Sequence, residues 1–341
     1  MQLSTIVDIA LVVFVLLLLP VYLIFVLTLY LNRKEKPFDS PFFRIVASLS
    51  AAELLLMFSF YTLPNPLRWG FYPVRILEGW GKGFFPVAVV GFMWTARMAQ
   101  GLGQQLMTIN RVTAVLLPLK HNRLWHPKRT RIVLLFQWVA PIVVFVLPQL
   151  LFFGYRIERV NGTSVAVVSP EDEVALQNNF LRYVGLYGLT WNLIHLVAYG
   201  AVFWRLWQNE KKQKKQSRGM ASTQTEDRWR VRMTIAGGII SLFNMMAVAS
   251  VLVVSAQGKS FSRCTHILVQ SALSSLECMT TPLVFLAVSK ASRRQFLNTM
   301  RSLARGEVAR KQTTSMTNHR SQRVGDRSEG RPPQSRKNAW S

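Results

Sequence analysis

Seven long apolar stretches dominate this chain, and lysine and arginine crowd every second gap between them. A bilayer core about 30 Å thick needs about 20 apolar residues per spanning helix. Inside hydrocarbon, each backbone N–H and C=O must find its partner within its own segment. Seven such runs predict an all-α fold, an integral membrane bundle of seven transmembrane helices. The expected spans are about 6–31, 41–63, 84–115, 132–153, 183–207, 231–256 and 264–289. Pro20 marks an expected kink in the first. Half of the 341 residues are hydrophobic, and they come in blocks with no water-facing stripe between them.

The net charge of +25 raises the question of nucleic acid, because basic proteins bind phosphate backbones. The placement of the charge argues otherwise. Of the 41 basic residues, 31 flank or fill the first, third and fifth gaps or follow the seventh span. The fifth gap alone carries Lys211, Lys212, Lys214 and Lys215. The positive-inside rule then predicts odd gaps and C-terminus in the cytoplasm, with the N-terminus outside. Anionic membrane lipids are the expected partner of this charge, and no nucleic acid is expected. The first apolar run is too long for a cleaved signal peptide, and its positive charges follow it. It reads as the first span and an uncleaved signal anchor.

Asn161-Gly162-Thr163 is a glycosylation sequon in the gap after span four, on the side assigned to the exterior. The acidic run Glu171-Asp172-Glu173 in the same long outer loop, 154–182, reads as a solvated face. Cys264 and Cys278 lie fourteen residues apart on one helix, about 21 Å. They cannot bond to each other and read as small buried residues. Beyond span seven, Phe296, Leu297, Met300 and Leu303 recur at helical spacing, with Arg293, Arg294 and Arg301 elsewhere on the wheel. That pattern predicts an amphipathic surface helix at 290–304. The membrane domain then covers 1–304, and the polar, basic remainder, 305–341, is expected to be a disordered cytoplasmic tail.

No metal, nucleotide or redox motif occurs, and the five histidines are scattered. The reading is therefore non-enzymatic, with no cofactor and no metal. Charged residues within spans are costly and mark candidate sites. Arg44 lies near the inner face and can snorkel. Glu53, Arg97 and Glu277 lie near mid-bundle. Two readings stay open for them. One is a buried salt-bridged trio. The other is that Arg97 meets an acidic ligand from the outer half of the bundle.

The strongest local pattern closes span three: Leu106-Met107-Thr108-Ile109-Asn110-Arg111-Val112-Thr113-Ala114-Val115, followed by Pro118, His121 and Trp125. Arg111 alone would be a positive-inside anchor. The whole string resembles the end of the third helix in G-protein-coupled receptors, in particular nematode serpentine chemoreceptors of the gamma and V types. Ala51-Ala52-Glu53-Leu54-Leu55 and Thr281-Pro282-Leu283-Val284-Phe285 stand where such receptors carry their helix-two and helix-seven motifs. The similarity spans roughly residues 6–304. Asn110 replaces the usual acid before the arginine, so a different lock on Arg111 is implied. Span six has no proline, and Gly237-Gly238 takes the place of the hinge. No lysine in span seven rules out a retinal Schiff base.

The resemblance implies a chemosensory receptor of the plasma membrane, with sensory-neuron cilia as an expected setting. A small-molecule ligand would bind among the outer halves of spans three, five, six and seven. A heterotrimeric G protein would engage Asn110, Arg111 and Pro118. Pro282 and Phe285 would form a helix-seven switch. Candidate ligand contacts are Arg97 first and His195 second, then Trp94, Asn192, Asn244, His266 and Gln270. The rivals are a transporter or channel, which would need acids along one pore-facing stripe, and a membrane-embedded enzyme with a convergent carboxylate or histidine cluster. A further possibility is a receptor-like scaffold that signals only with a partner receptor.

Overall fold

A computed structural model describes residues 3–35, 38–62, 84–147, 156–160, 164–168, 171–216, 231–232, 234–246, 248–249 and 263–305 of the chain. Helices occupy all seven apolar stretches. In chain order they are α1 (Leu3–Leu31), α2 (Pro41–Thr62), α3 (Phe84–Leu116), α5 (Pro127–Pro141), α6 (Glu171–Gln216), α7 (Thr234–Met246) and α8 (Arg263–Val288). Two shorter helices lie outside the spans, α4 (Pro118–Leu124) and α9 (Lys290–Ala304).

The distribution of side chains is inverted relative to a water-soluble bundle. Leu16 and Leu17 on α1, Ile132, Leu135 and Phe136 on α5, and Val197 on α6 are all exposed. Gln100, Gln104, Gln137, Asn192, Asn244, Glu53 and Glu277 are buried. Lipid tails reward the first arrangement, and polar groups with no water must turn inward to one another. By length and composition, α1 over Ile9–Leu31, α2 over Pro41–Tyr61 and α6 over Gly185–Asn209 are apolar enough to cross a bilayer. The 33-residue α3 is about 50 Å long, more than enough to span. Its apolarity is diluted by the polar residues it turns inward.

Two buried clusters hold the bundle. At one end, Phe25, Leu29, Phe38, Phe42, Phe43, Ile45, Met107, Trp125, Phe285 and Phe296 draw α1, α2, α3, α8 and α9 together. Further along, Val15, Tyr22, Leu56, Met57, Phe60, Ala96 and Met279 join α1, α2, α3 and α8. The chain turns 104° between α8 and α9. Ser289 caps α9, its hydroxyl accepting from the Ser292 N–H at 3.1 Å, which satisfies one of the orphan donors of a helix start. Phe296 is buried in the bundle, whereas Leu297, Met300 and Leu303, expected on the same apolar face, remain exposed.

Three features depart from the sequence expectation. The acidic run Glu171-Asp172-Glu173 is the first turn of α6, not loop, and α6 continues through the lysine cluster to Gln216. Acids at a helix start and lysines at its end both favour the helix dipole, so the 46-residue helix outruns the bilayer at each side. The second departure is a hairpin in the 154–182 segment. Strands β1 (Arg156–Val160) and β2 (Ser164–Val168) pair antiparallel, with Arg156 opposite Val168. The third is a π-helical turn, Ile142–Val146, directly after α5. Pro141 has no N–H for the carbonyl four residues back. The ladder widens there, and the Leu147 N–H reaches the Ile142 carbonyl. The sequon at Asn161, residues 148–155 and the tail beyond 305 lie outside the described residues.

Two glycines permit close helix approach. A Cβ on Gly103 would sit 2.7 Å from Gln137 Nε2 and 3.3 Å from Leu49 Cβ. Gln137 cannot swing away cheaply, because it donates to the Ala99 carbonyl at 2.9 Å and accepts from Ser48 at 2.9 Å. On α7, a Cβ at Gly237 would fall 2.5 Å from Cζ and 2.6 Å from Cε1 of Tyr199. Gly237 thus makes room for a buried aromatic ring of α6. We expect Gly237→Ala to destabilise the protein by about 1–3 kcal/mol through overpacking. The measurement is the melting temperature in detergent, alone and combined with Tyr199→Leu, which should restore part of the loss. An unchanged melting temperature for the single variant would mean the ring moves aside freely.

Candidate functional site

One face of α3 carries Arg97, Gln100, Gln104, Thr108 and Arg111, spaced at three and four residues. Such spacing aligns side chains along a single helical stripe. The stripe runs through the middle of the bundle and ties three helices together. Arg97 Nη1 donates to Gln100 Oε1 at 3.0 Å and forms an ion pair with Glu277 of α8. Gln104 Nε2 donates to the other Glu277 oxygen at 3.3 Å. Gln104 Oε1 in turn accepts from Asn244 of α7. Gln100 Nε2 also lies 3.8 Å from the sulfur of Cys278, a free buried thiol. From Arg97 to Gln104 the buried donors thus end on acceptors, as a low-dielectric interior favours.

Glu53 takes a different course from the trio expected with Arg97. Tyr22 of α1 donates to Glu53 Oε2 at 2.5 Å, and Thr281 of α8 donates to Oε1 at 2.6 Å. Two hydroxyl donors satisfy both oxygens, so the α2 carboxyl has no need of the arginine. The same three residues bind α1, α2 and α8 together one layer away from the Arg97–Glu277 pair. Gln100, Gln104, Tyr22 and Thr281 were not among the residues singled out from sequence. The spacing of Gln100 and Gln104 from Arg97 was the available signal for the first two. Thr281 stood at the head of the helix-seven motif without a role assigned, and Tyr22 gave no signal, because both roles depend on which helices become neighbours.

The expected ligand contacts do not converge on one pocket. Arg97 and Trp94 line a small cleft with Leu56, Phe60, Met93 and Ser274, between α2, α3 and α8. Asn192 and His195 instead lie on the face of α6 that packs on α7. Gly188, one turn earlier, faces Val248, where an added Cβ would come within 3.1 Å of the valine, and Tyr199, one turn later, faces Gly237. Asn192 donates to the Gly188 carbonyl at 2.7 Å. Its Oδ1 and both ring nitrogens of His195 have no hydrogen-bond partner among the described residues. The ring of Trp191 stands 6.2 Å from that of His195. Asn244 is committed to Gln104 rather than open to a cavity. His266 and Gln270 belong to α8, but their side chains lie outside the described residues.

At the far end of the stripe, Arg111 is buried with its guanidinium 3.5 Å above the centre of the Phe42 ring. That cation–π contact stands where an acidic neighbour would otherwise hold an arginine. Phe42 packs 5.8 Å from Phe285 of α8, which in turn stacks 6.1 Å from Phe25 of α1. Phe285 thereby sits two rings away from Arg111, and Pro282 lies one turn before it. Asn110 is buried beside Arg111, with its Nδ2 unpartnered among the described residues. Pro118 opens α4, where a missing N–H costs nothing. Thr113 Oγ1 accepts from Trp125 Nε1 at 2.8 Å and lies 3.1 Å from His121 Nδ1. These contacts fold α4 back against α3. Leu119, one residue into that helix, is 96% exposed.

Comparison with known proteins agrees with this arrangement. The profile for the serpentine type 7TM GPCR chemoreceptor Srv family matches residues 11–302. Serpentine receptor class V-1 of Caenorhabditis elegans is 31% identical over 191 residues, which cover 55% of this chain and 59% of that protein. A match running from the first span to the surface helix, over a bundle with polar residues inside and apolar residues outside, leaves one assignment. The chain is a multi-pass membrane protein belonging to the serpentine type 7TM GPCR chemoreceptor Srv family.

Proposed function

We propose that this protein is a chemosensory receptor that binds a small molecule within the helix bundle and activates a heterotrimeric G protein at the opposite end. The observation that carries the reading is the setting of Arg111. It is a buried cation held by an aromatic face, at the end of a polar stripe that begins at the Arg97 cleft. A cation–π contact is worth roughly 0.5–2 kcal/mol. That is weak enough for a ligand to overcome through a modest difference in affinity between two states.

The end of the bundle that holds Arg111 suits a cytoplasmic partner. Gln295 of α9 approaches Glu35 beyond α1 at 3.5 Å, so α9, α4 and the ends of α1 and α3 share it. Lys120, Arg123, Lys128 and Arg129 there are basic, and Leu119 presents an apolar side chain to whatever docks. Positive charge at this end supports a cytoplasmic C-terminus, an external N-terminus and a plasma-membrane location. It follows that the loop containing Asn161 lies outside, available for glycosylation. The polar tail from 305 onward would lie in the cytoplasm.

Signalling measured as nucleotide exchange on a co-expressed G protein tests the reading. Arg111→Ala should reach the cell surface in normal amount and lose most of its signal. Full signalling at equal surface expression would sink the proposal. Phe42→Leu removes the aromatic face but keeps an apolar side chain. It should raise basal exchange on the order of 2- to 30-fold, the equivalent of the cation–π energy. A basal rate equal to the parent's would show that Phe42 does not hold the resting state.

A further inference from the structure

The last turns of α6 carry an aromatic and basic face that points away from the bundle. Tyr199, Val202 and Leu206 pack inward and are buried, whereas Trp204 and Trp207 are exposed on the other side. The stretch apolar enough to cross a bilayer, Gly185–Asn209, ends just past this tryptophan pair. The helix nevertheless continues to Gln216. At about 3.6 residues per turn, Lys211, Lys214 and Lys215 fall on the same outward face as the two tryptophans. Lys212 falls on its flank, and Glu210, the one acid between Trp204 and Gln216, falls nearer the packed side. The indole rings stand 5.2 Å apart, and Lys211 Nζ lies 3.5 Å from the centre of the Trp207 ring. Indoles settle at the level of the lipid headgroups. Lys211 then stands about 6 Å beyond Trp207 along the helix, and Lys214 and Lys215 about 10–12 Å beyond it.

Charge and height together narrow the partner. A face turned outward is closed to anything lodged between the helices and open to lipid. The phosphate of an ordinary phospholipid lies near the indoles, a turn or more short of the lysines. An inositol headgroup raises further phosphates above the bilayer plane, to the height at which the lysines stand. Basic clusters directly beyond a spanning helix favour such multiply charged headgroups. We propose that the outward face of α6, from Trp204 to Lys215, binds a phospholipid of the inner leaflet whose inositol headgroup carries several phosphates. Its glycerol backbone lies against Trp204 and Trp207, and its ring phosphates are level with Lys211, Lys214 and Lys215. The assignment to the inner leaflet rests on the orientation proposed above, whereas the binding itself does not. A lipid held there ties the protruding turns of α6 to the bilayer surface, so membrane composition sets how far this helix stands clear of it.

Native mass spectrometry of the purified full-length chain in detergent micelles tests the site. Phosphatidylinositol bisphosphate and phosphatidylserine are titrated separately at equal concentrations. The bisphosphate should bind at least about tenfold more tightly, because each basic residue near an anionic headgroup adds several-fold. Lys211→Gln/Lys214→Gln/Lys215→Gln should reduce that preference about tenfold or more. Glutamine keeps the helix, and Lys211→Arg/Lys214→Arg/Lys215→Arg, which retains the charge, should retain the preference. Arg293→Gln/Arg294→Gln/Arg301→Gln removes the same charge from α9 and should leave the preference unchanged. Equal binding of phosphatidylserine, or an equal loss in the α9 variant, overturns the proposal. So does soluble inositol trisphosphate binding as tightly as the lipid, since the tryptophans would then contribute nothing. Nucleotide exchange on the G protein by the same preparation is read alongside. Exchange without selective lipid binding removes this site only, whereas selective lipid binding without exchange removes only the receptor reading.

Discussion

A bilayer interior supplies no hydrogen-bond partners, and that constraint organises this protein. Polar side chains within the spans gain by meeting one another, and α3 supplies a central row of them. Arg97, Gln100, Gln104 and Thr108 form a spine to which α8 attaches through Glu277 and α7 through Asn244. Breaking one partner of such a buried pair leaves an uncompensated group, at a cost of about 3–5 kcal/mol. The spine therefore does more than add stability. It specifies which helices lie beside α3, a task that non-directional contacts between apolar faces perform poorly in lipid.

The two arginines of α3 are held by different physics. Arg97 is paired with a formal charge, so its bond to α8 is strong and sensitive to any second anion. Arg111 lies against the Phe42 ring, an attraction to a neutral aromatic face rather than to a formal charge. Between them runs about 21 Å of helix. The aromatic contacts from Phe42 to Phe285 and Phe25 couple the Arg111 end to α8 and α1. The helix that answers to Arg97 through Glu277 is thus the same one that packs under Phe42. Both arginine environments therefore share one helix, α8.

Much of the architecture was legible beforehand. The seven apolar runs, the surface helix with Phe296 on its buried side, and the intramembrane pairing of Arg97 with Glu277 all follow from the cost of polarity in hydrocarbon. Helix ends were less legible. The 171–182 segment read as loop because it is polar, yet acids at its start and continuous helix formers extend α6 through it. The hairpin at 156–168 escaped notice because two five-residue strands bear no strong periodic signal. Glu53 illustrates the limit most plainly. Its charge was visible, but its partners, Tyr22 and Thr281, are ordinary residues until α1 and α8 pack against α2.

The sequence by itself determined that the chain enters the membrane and which buried charges demand an answer. Those properties depend on hydropathy and spacing along one segment, and each segment carries them alone. Only the tertiary structure decided that Arg97 opens onto α2 and α8 while His195 turns toward α7. It also decided that an aromatic ring from the start of α2 lies against the Arg111 guanidinium. Such pairings are choices among neighbours, and a neighbour exists only once helices distant in sequence have been brought side by side.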